Sequence, residues 1–258
     1  MKKFVPLLAL SGLATFSSVV AAAEPASPHT LTGNVALTTD YVFRGISQTQ
    51  GNPAIQGGFD YSHASGAYVG TWASNVEWVS TGSPAYKDNN SMEIDLYGGY
   101  RGAVGDIGYD VGIITYFYPG DQNAAPATDP DTTEIYLGAS WKFLSAKYSH
   151  TVSDRFVGWS TSTGGKTNGS YYLELNGTYD LGGGWGMLGH IGYQDVKGND
   201  DASYTDWKIG VTKDVGFGVV ALAYSDTDAE NAAYTWTSGT HSENVADGRV
   251  FLSFSKTF

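Results

Sequence analysis

Along about a dozen separate stretches of this chain every second residue is apolar, yet after the N-terminal leader no stretch reaches the apolar length of a membrane-spanning helix. Together these two facts narrow the possible folds sharply. In hydrocarbon every backbone amide and carbonyl must be paired within the protein, so strands with one lipid-facing side have to close into a barrel. From Leu31 to Phe43 the odd positions include Leu31, Val35, Leu37, Tyr41 and Phe43, while the even ones include Thr32, Asn34, Thr38 and Asp40. The pattern recurs over Ile55 to His63, Ala67 to Val76, Met92 to Arg101, Ile107 to Tyr118 and Glu134 to Phe143. It continues over Ser145 to Ser153, Tyr171 to Leu181, Trp185 to Val196, Tyr204 to Lys213, Phe217 to Asp226 and Gly248 to Phe258. Ala67 to Val76 and Phe217 to Asp226 are apolar on both faces, so their facing is not set by parity alone.

The links between these stretches alternate in kind. Short ones, such as Ala64 to Gly66, Gly102 to Asp106, Gly182 to Gly184 and Asp214 to Gly216, take every second place. Longer polar ones lie between them: Arg44 to Pro53, Glu77 to Asn90, Pro119 to Asp131, Phe156 to Gly169, Lys197 to Ser203 and Thr227 to Asp247. Short periplasmic turns alternating with longer external loops are the habit of outer-membrane barrels. The expected fold is therefore all-β, a single antiparallel transmembrane β-barrel of about twelve strands with both termini on the periplasmic side.

Residues 1–23 read as a secretory signal peptide. Lys2 and Lys3 precede an apolar run from Phe4 to Val20, and Ala21 to Ala23 offer a small-residue cleavage site before Glu24. Residues 24–258 then form the outer-membrane barrel domain. The chain has no cysteine, which removes disulfides, thiolate metal sites and lipoprotein anchoring. The last segment ends on Phe258, a terminal aromatic of the kind that outer-membrane assembly machinery engages. Lys256 stands where a hydrophobic residue is commoner and could snorkel to the headgroups.

With 14 basic and 26 acidic residues the net charge is −12, and two of the lysines fall in the leader, so the remainder is more acidic still. Nucleic acid, whose phosphates would be repelled, is excluded as a partner. A soluble barrel would show the same alternation with its apolar face inward. Against it, the polar face carries Asp40, Asp60, Glu93, Asp95, Asp110, Glu134, Glu174 and Asp206, while Trp72, Trp141, Trp159, Trp185 and Trp207 lie near strand ends, as in an interfacial aromatic belt.

The run GNVALTTDYVFRGISQTQGNPAIQGGFDY, followed by YVGTWASNV, resembles the TorF family of outer-membrane porins, a proteobacterial group described as conserved hypothetical proteins. EIDLYGGY, TEIYLGASWKF with AKYSHTVSD, and YYLELNGTYDL fit the same family more loosely, so the resemblance spans nearly all of residues 24–258. It implies an exported barrel with pore activity. It implies no particular substrate and no catalytic residue.

If the apolar stripes face lipid, the acids above and the bases Arg44, Arg101, Lys142, Lys147, Lys208 and Arg249 line the lumen. The residues expected to shape it are Asp40, Arg44, Glu93, Asp95, Asp110, Glu134, Glu174, Lys208 and Arg249. Most of these charges should form cross-strand ion pairs, and a minority facing open water should filter ions with a preference for cations. Arg44, on the same face as Asp40, either makes an interior salt bridge or narrows the outer mouth. Tyr97, Tyr116, Tyr136, Tyr172 and Tyr204, with Tyr68 and Trp72, either pack to narrow the lumen or stack on flat solutes.

Chemistry of other kinds has little support. There is no GxSxG nucleophile motif, and His29, His63, His150, His190 and His241 sit in no recognisable catalytic pattern. Asp129, Asp131, Asn199 to Asp201, Asp226, Asp228 and Glu230 lack the ordered spacing of a calcium loop, so no metal is expected. Gly45, Gly57, Gly58, Gly98 and Gly99 precede no helix that could cradle a phosphate, and no cofactor is expected. The expected function is passive passage of small hydrophilic solutes across the outer membrane of a Gram-negative bacterium, in contact with lipid and lipopolysaccharide. The alternatives are a non-conducting structural or surface-interaction barrel, and an outer-membrane hydrolase.

Overall fold

The computed structural model describes residues 27–79, 91–120, 129–238 and 241–258. The leader over 1–23 lies outside the described residues. Twelve strands close into one antiparallel barrel: β1 (His29–Thr38), β4 (Ala54–His63), β5 (Ala67–Asn75), β6 (Met92–Val104), β7 (Ile107–Phe117), β8 (Thr132–Trp141), β9 (Leu144–Thr151), β10 (Tyr171–Gly182), β11 (Trp185–Asp195), β12 (Tyr204–Asp214), β13 (Val219–Thr227) and β16 (Arg249–Thr257). Two small hairpins lie outside the ring, β2 (Val42–Phe43) with β3 (Ile46–Ser47), and β14 (Thr235–Ser238) with β15 (His241–Asn244). A short helix, α1 (Asn231–Tyr234), precedes β14.

Each ring strand pairs with its neighbours in the ring, and the seam closes where β16 meets β1, from Asn34 opposite Thr257 to Thr38 opposite Ser253. Beyond the strands the seam continues, with the Phe258 amide donating to the Gly33 carbonyl at 2.8 Å and the Gly33 amide donating back at 3.3 Å. No edge is left for another chain to pair with.

Period two sets the facing. Leu37, Ile135 and Leu173 are 55, 48 and 52 % exposed on the outside, while Glu93, Glu134 and Glu174 are 2, 0 and 5 % exposed on the inside. A soluble barrel would reverse this, so the apolar surface is built for acyl chains. Exposed aromatics ring the outer surface near both rims: Tyr61, Trp141, Phe143, Tyr179, Trp185 and Phe217 toward the short turns, and Tyr148, Tyr193, Trp207 and Tyr224 toward the long loops. Trp72 and Trp159 do not belong to this belt. Trp72 points inward, edge-on to Tyr41 at 5.5 Å, and Trp159 packs on Tyr234 inside the loop cluster. Lys256 does face outward, its Nζ over the Phe258 ring at 4.9 Å.

Two expectations change. The first strand stops at Thr38 rather than Phe43, because the chain turns into the barrel there. Lys142 is not a lumen residue, because β8 ends at Trp141 and Lys142 takes a left-handed turn conformation (φ 55°), which lays its ammonium over the Trp141 ring at 4.2 Å.

Candidate functional site

The segment expected as an external loop, Arg44 to Pro53, instead enters the barrel. Residues 40–50 are buried apart from half-buried Phe43. Val42 pairs with Ser47 and Phe43 with Ile46, and the two-residue tip between them, Arg44 and Gly45, has positive φ at both positions (47° and 80°). That is the type I′ geometry of tight hairpins, which favours glycine at the second position. Gly45 also has no room for a side chain, since a Cβ there would lie 2.5 Å from Thr227 Cγ2 and 2.6 Å from Asp206 Cβ. The tip is thus wedged against the wall at β12 and β13.

The base of this inward hairpin is tied by Asp40. Its Oδ1 accepts from Ser47 Oγ (2.6 Å) and Thr49 Oγ1 (3.0 Å), and its Oδ2 accepts from Arg249 Nη1 (2.8 Å) on β16. The tip is held by Arg44. Its two terminal nitrogens reach Glu134 Oε1 and Oε2 at 3.1 and 2.6 Å, and Nη1 also donates to Gln194 Oε1 at 2.8 Å. Counted round the ring, β8 is five strands from β1 one way and seven the other, so this bidentate bridge spans the whole lumen. The guanidinium also lies over the Tyr172 ring at 4.3 Å.

Above the hairpin the long loops complete the closure. The Ser47 amide donates to Val245 O at 2.9 Å, and Tyr234 is buried with its hydroxyl on Ala202 O at 2.7 Å. Trp78 packs edge-on to Tyr118 at 5.0 Å and against Trp236 at 6.2 Å. Tyr41, at the hairpin base, and Tyr118 both donate to Glu93, at 2.7 and 2.5 Å. Asp95, two residues on, is buried with Oδ1 unpartnered. The loop end of the lumen is a filled core.

Toward the short turns the inner wall is mixed: Asp110, Leu188, Thr212, Ala221 and Ser255 stay buried, while inward residues of β6 and β10 become half-buried. On β6, for example, Glu93 and Asp95 are buried whereas Tyr97, Gly99 and Arg101 are half-buried, and on β10 Glu174 is buried while Asn176 and Thr178 are half-buried. On the inner wall three tyrosines each reach over a glycine to donate to an aspartate: Tyr97 over Gly70 to Asp60 (2.7 Å) and Tyr68 over Gly99 to Asp110 (2.6 Å) toward the turn end, and Tyr172 over Gly192 to Asp206 (2.7 Å), buried beneath the hairpin tip. A Cβ on any of those glycines would collide with the tyrosine. The rings therefore lie against the wall. Lys147 and Glu174, directly opposite one another on β9 and β10, form the expected cross-strand pair at 3.3 Å. His190 sits between Asp206 (Nε2 to Oδ1, 2.9 Å) and Asn176 (Nδ1 to Oδ1, 2.6 Å). A small cavity beneath the hairpin tip is lined by Arg44, Glu174, His190, Asp206 and Lys208.

All nine expected lumen residues face inward, but they do not form one ring. Asp40, Arg44, Glu134 and Arg249 bind the hairpin, Glu93 and Asp95 are sealed under the loops, and Asp110, Glu174 and Lys208 lie nearer the open end. Gln194, which completes the Arg44 site, was missed. Its parity in the Trp185 to Val196 segment marks it as inward, but nothing local marks it as a partner of Arg44. Ser149 and His150 lie on opposite faces of β9, so they form no dyad. Among the described residues no three His, Asp or Glu side chains are grouped to hold a metal.

Residues 22–258 match the model of Gcw_chp, described as a bacterial protein of unknown function, and the chain belongs to that family. No curated protein matches it significantly in sequence. Among solved structures the KdgM porin superposes with a TM-score of 0.52 at 8 % identity, covering 88 % of this chain and 99 % of that one. The KdgM porin in complex with disordered oligogalacturonate gives 0.52 at 8 %, covering 89 and 99 %, and the NanC porin gives 0.52 at 10 %, covering 89 and 99 %. At such identities the likeness is one of fold.

Proposed function

We propose that this Gcw_chp member is a porin-type channel of the Gram-negative outer membrane, passing small hydrophilic solutes, with its path closed from the loop side by the chain's own hairpin. One observation carries the reading: a closed twelve-strand barrel with a polar, charged inner wall enclosed by an apolar outer wall. The TorF-like run, residues 33–76, supports it, because this is the stretch that builds most of β1, the hairpin, β4 and β5. In this reading residues 1–23 direct export and are removed before Glu24. The exposed Phe258 is then presented to the assembly machinery, and lipopolysaccharide surrounds the loop-side aromatic belt.

Wall charge sets the preference. Asp60, Glu93, Asp95, Asp110 and Glu134 lie on β4 to β8 with Arg101 the only base of that face among the described residues, while β9 to β16 mix Lys147, Lys208 and Arg249 with Glu174 and Asp206. A transverse field with excess acid favours cations and neutral solutes. KdgM has been solved with oligogalacturonate, but the acid-rich wall here argues against a polyanion as this chain's solute.

The filled loop end gives one specific reason for a second reading, a non-conducting barrel that works through its loops. Planar bilayers separate the two. Wild type should conduct rarely or in small steps, and replacing residues 41–49 with a Gly-Ser linker should raise conductance by about an order of magnitude, as removing a plug does. Silence in both proteins would leave the structural reading.

A further inference from the structure

We infer that the Asp60–Tyr97 pair is a binding site for an organic cation bearing a flat guanidinium-type group, entered from the turn end of the lumen. The inference deepens the channel reading and depends on it only for the access of solute. Its basis is the tyrosine-over-glycine device, which the inner wall repeats three times among the described residues. In two of the three the protein covers the tyrosine ring with its own guanidinium: Arg101 stands over Tyr68 at 4.9 Å, directly across the strand pair from Asp110, and Arg44 stands over Tyr172 at 4.3 Å. In each case the cation meets a π face beside a carboxylate.

The third copy has the same parts without the cation. Tyr97 lies over Gly70, where a Cβ would be 2.5 Å from its ring, and its hydroxyl donates to Asp60 Oδ1 at 2.7 Å. Among the described residues no guanidinium or ammonium stands over this ring, and none is within ion-pair distance of Asp60. Opposite Asp60 across the two strand pairs stand Thr32 and Gly70, neither of them basic. Both Asp60 and Tyr97 are half-buried, unlike Asp110 and Asp206, so the pair is accessible from the turn end. Tyr97 engages only Oδ1, so Oδ2 of Asp60 is left for a ligand to meet. A planar cation sliding over Tyr97 would complete the arrangement that Arg101 and Arg44 complete elsewhere.

Titration calorimetry of the detergent-solubilised full barrel tests this without requiring conduction. The probe is agmatine, with glutarate as the anionic control. Wild type should bind agmatine and not glutarate, Asp60→Asn should weaken binding at least tenfold, and Tyr97→Leu should weaken it severalfold. Arg101→Gln, which uncovers a second copy, should add a second agmatine equivalent. Equal affinity in folded Asp60→Asn, equal binding of glutarate, or no binding by wild type would each overturn the assignment. Should Asp60→Asn fail to fold, an unaltered affinity in Tyr97→Leu would overturn it alone. Agmatine binding by a barrel that never conducts would retain this site while removing the channel reading.

Discussion

The two ends of the lumen use the same ingredients, carboxylates, tyrosines and a few bases, and reach opposite results. At the loop end a connecting segment has been drawn inside, and its Asp40 and Arg44 pair with Arg249 and Glu134, so that these four charges are withdrawn from water. Among the described residues no second segment enters at the turn end, Tyr68 and Tyr97 reach over Gly99 and Gly70, and Asp60 is half-buried. The filling of the loop end is therefore the work of the β1–β4 connection together with the loops above it.

That contrast can be broken most forcefully at Arg44. Arg44→Ala leaves Glu134 buried without its charge partner, and a loss of about 3–5 kcal/mol is expected, read by urea unfolding in detergent. More frequent channel openings should accompany it. A double variant, Arg44→Met with Glu134→Leu, should recover most of the stability, because the isolated charge is gone, while the openings persist.

A smaller effect sharpens the comparison through two glycines with similar backbone. Gly45 (φ 80°) is wedged against Thr227 and Asp206, whereas a Cβ on Gly183 (φ 62°), in a turn at the other end, meets nothing within 4 Å. Gly183→Ala should cost about 1 kcal/mol, from backbone strain alone. Gly45→Ala adds overpacking of about 1–3 kcal/mol and should displace the hairpin tip. Equal melting temperatures for the two would mean that the tip is not wedged.

The least change is expected from the exposed loop-end pair Lys166–Asp154, 2.7 Å apart with side chains 65 and 71 % exposed. Lys166→Ala should alter stability by less than about 1 kcal/mol, since water screens such pairs. A loss comparable with Arg44→Ala would show that closure rests on the outer loops rather than on the hairpin.

Facing was legible because it needs only parity: Ile135 beside Glu134 and Leu173 beside Glu174 leave one way for each to point once lipid is outside. The alternation of short and long links placed the ends of the barrel for a similar reason. The hairpin was not legible. Arg44 to Pro53 is mostly polar, as an external loop would be, and its Ser47 and Thr49 donate to Asp40 instead of water, a difference that composition does not reveal. Nor does period two say that Arg44 will meet Glu134, which is 90 residues away in sequence and across the lumen in space. Trp72 and Trp159 misled because an aromatic near a strand end packs equally well on a plug as on a headgroup.

The bridge from Asp40 to Arg249 has a consequence for how such a molecule comes into being. Arg249 belongs to β16, the strand that seals the ring against β1, and Leu252 of the same strand exchanges hydrogen bonds with Thr39 through its amide and carbonyl. A half-zipped sheet lacks one fastener of its own stopper, so the strand that seals the cylinder also helps to cork it.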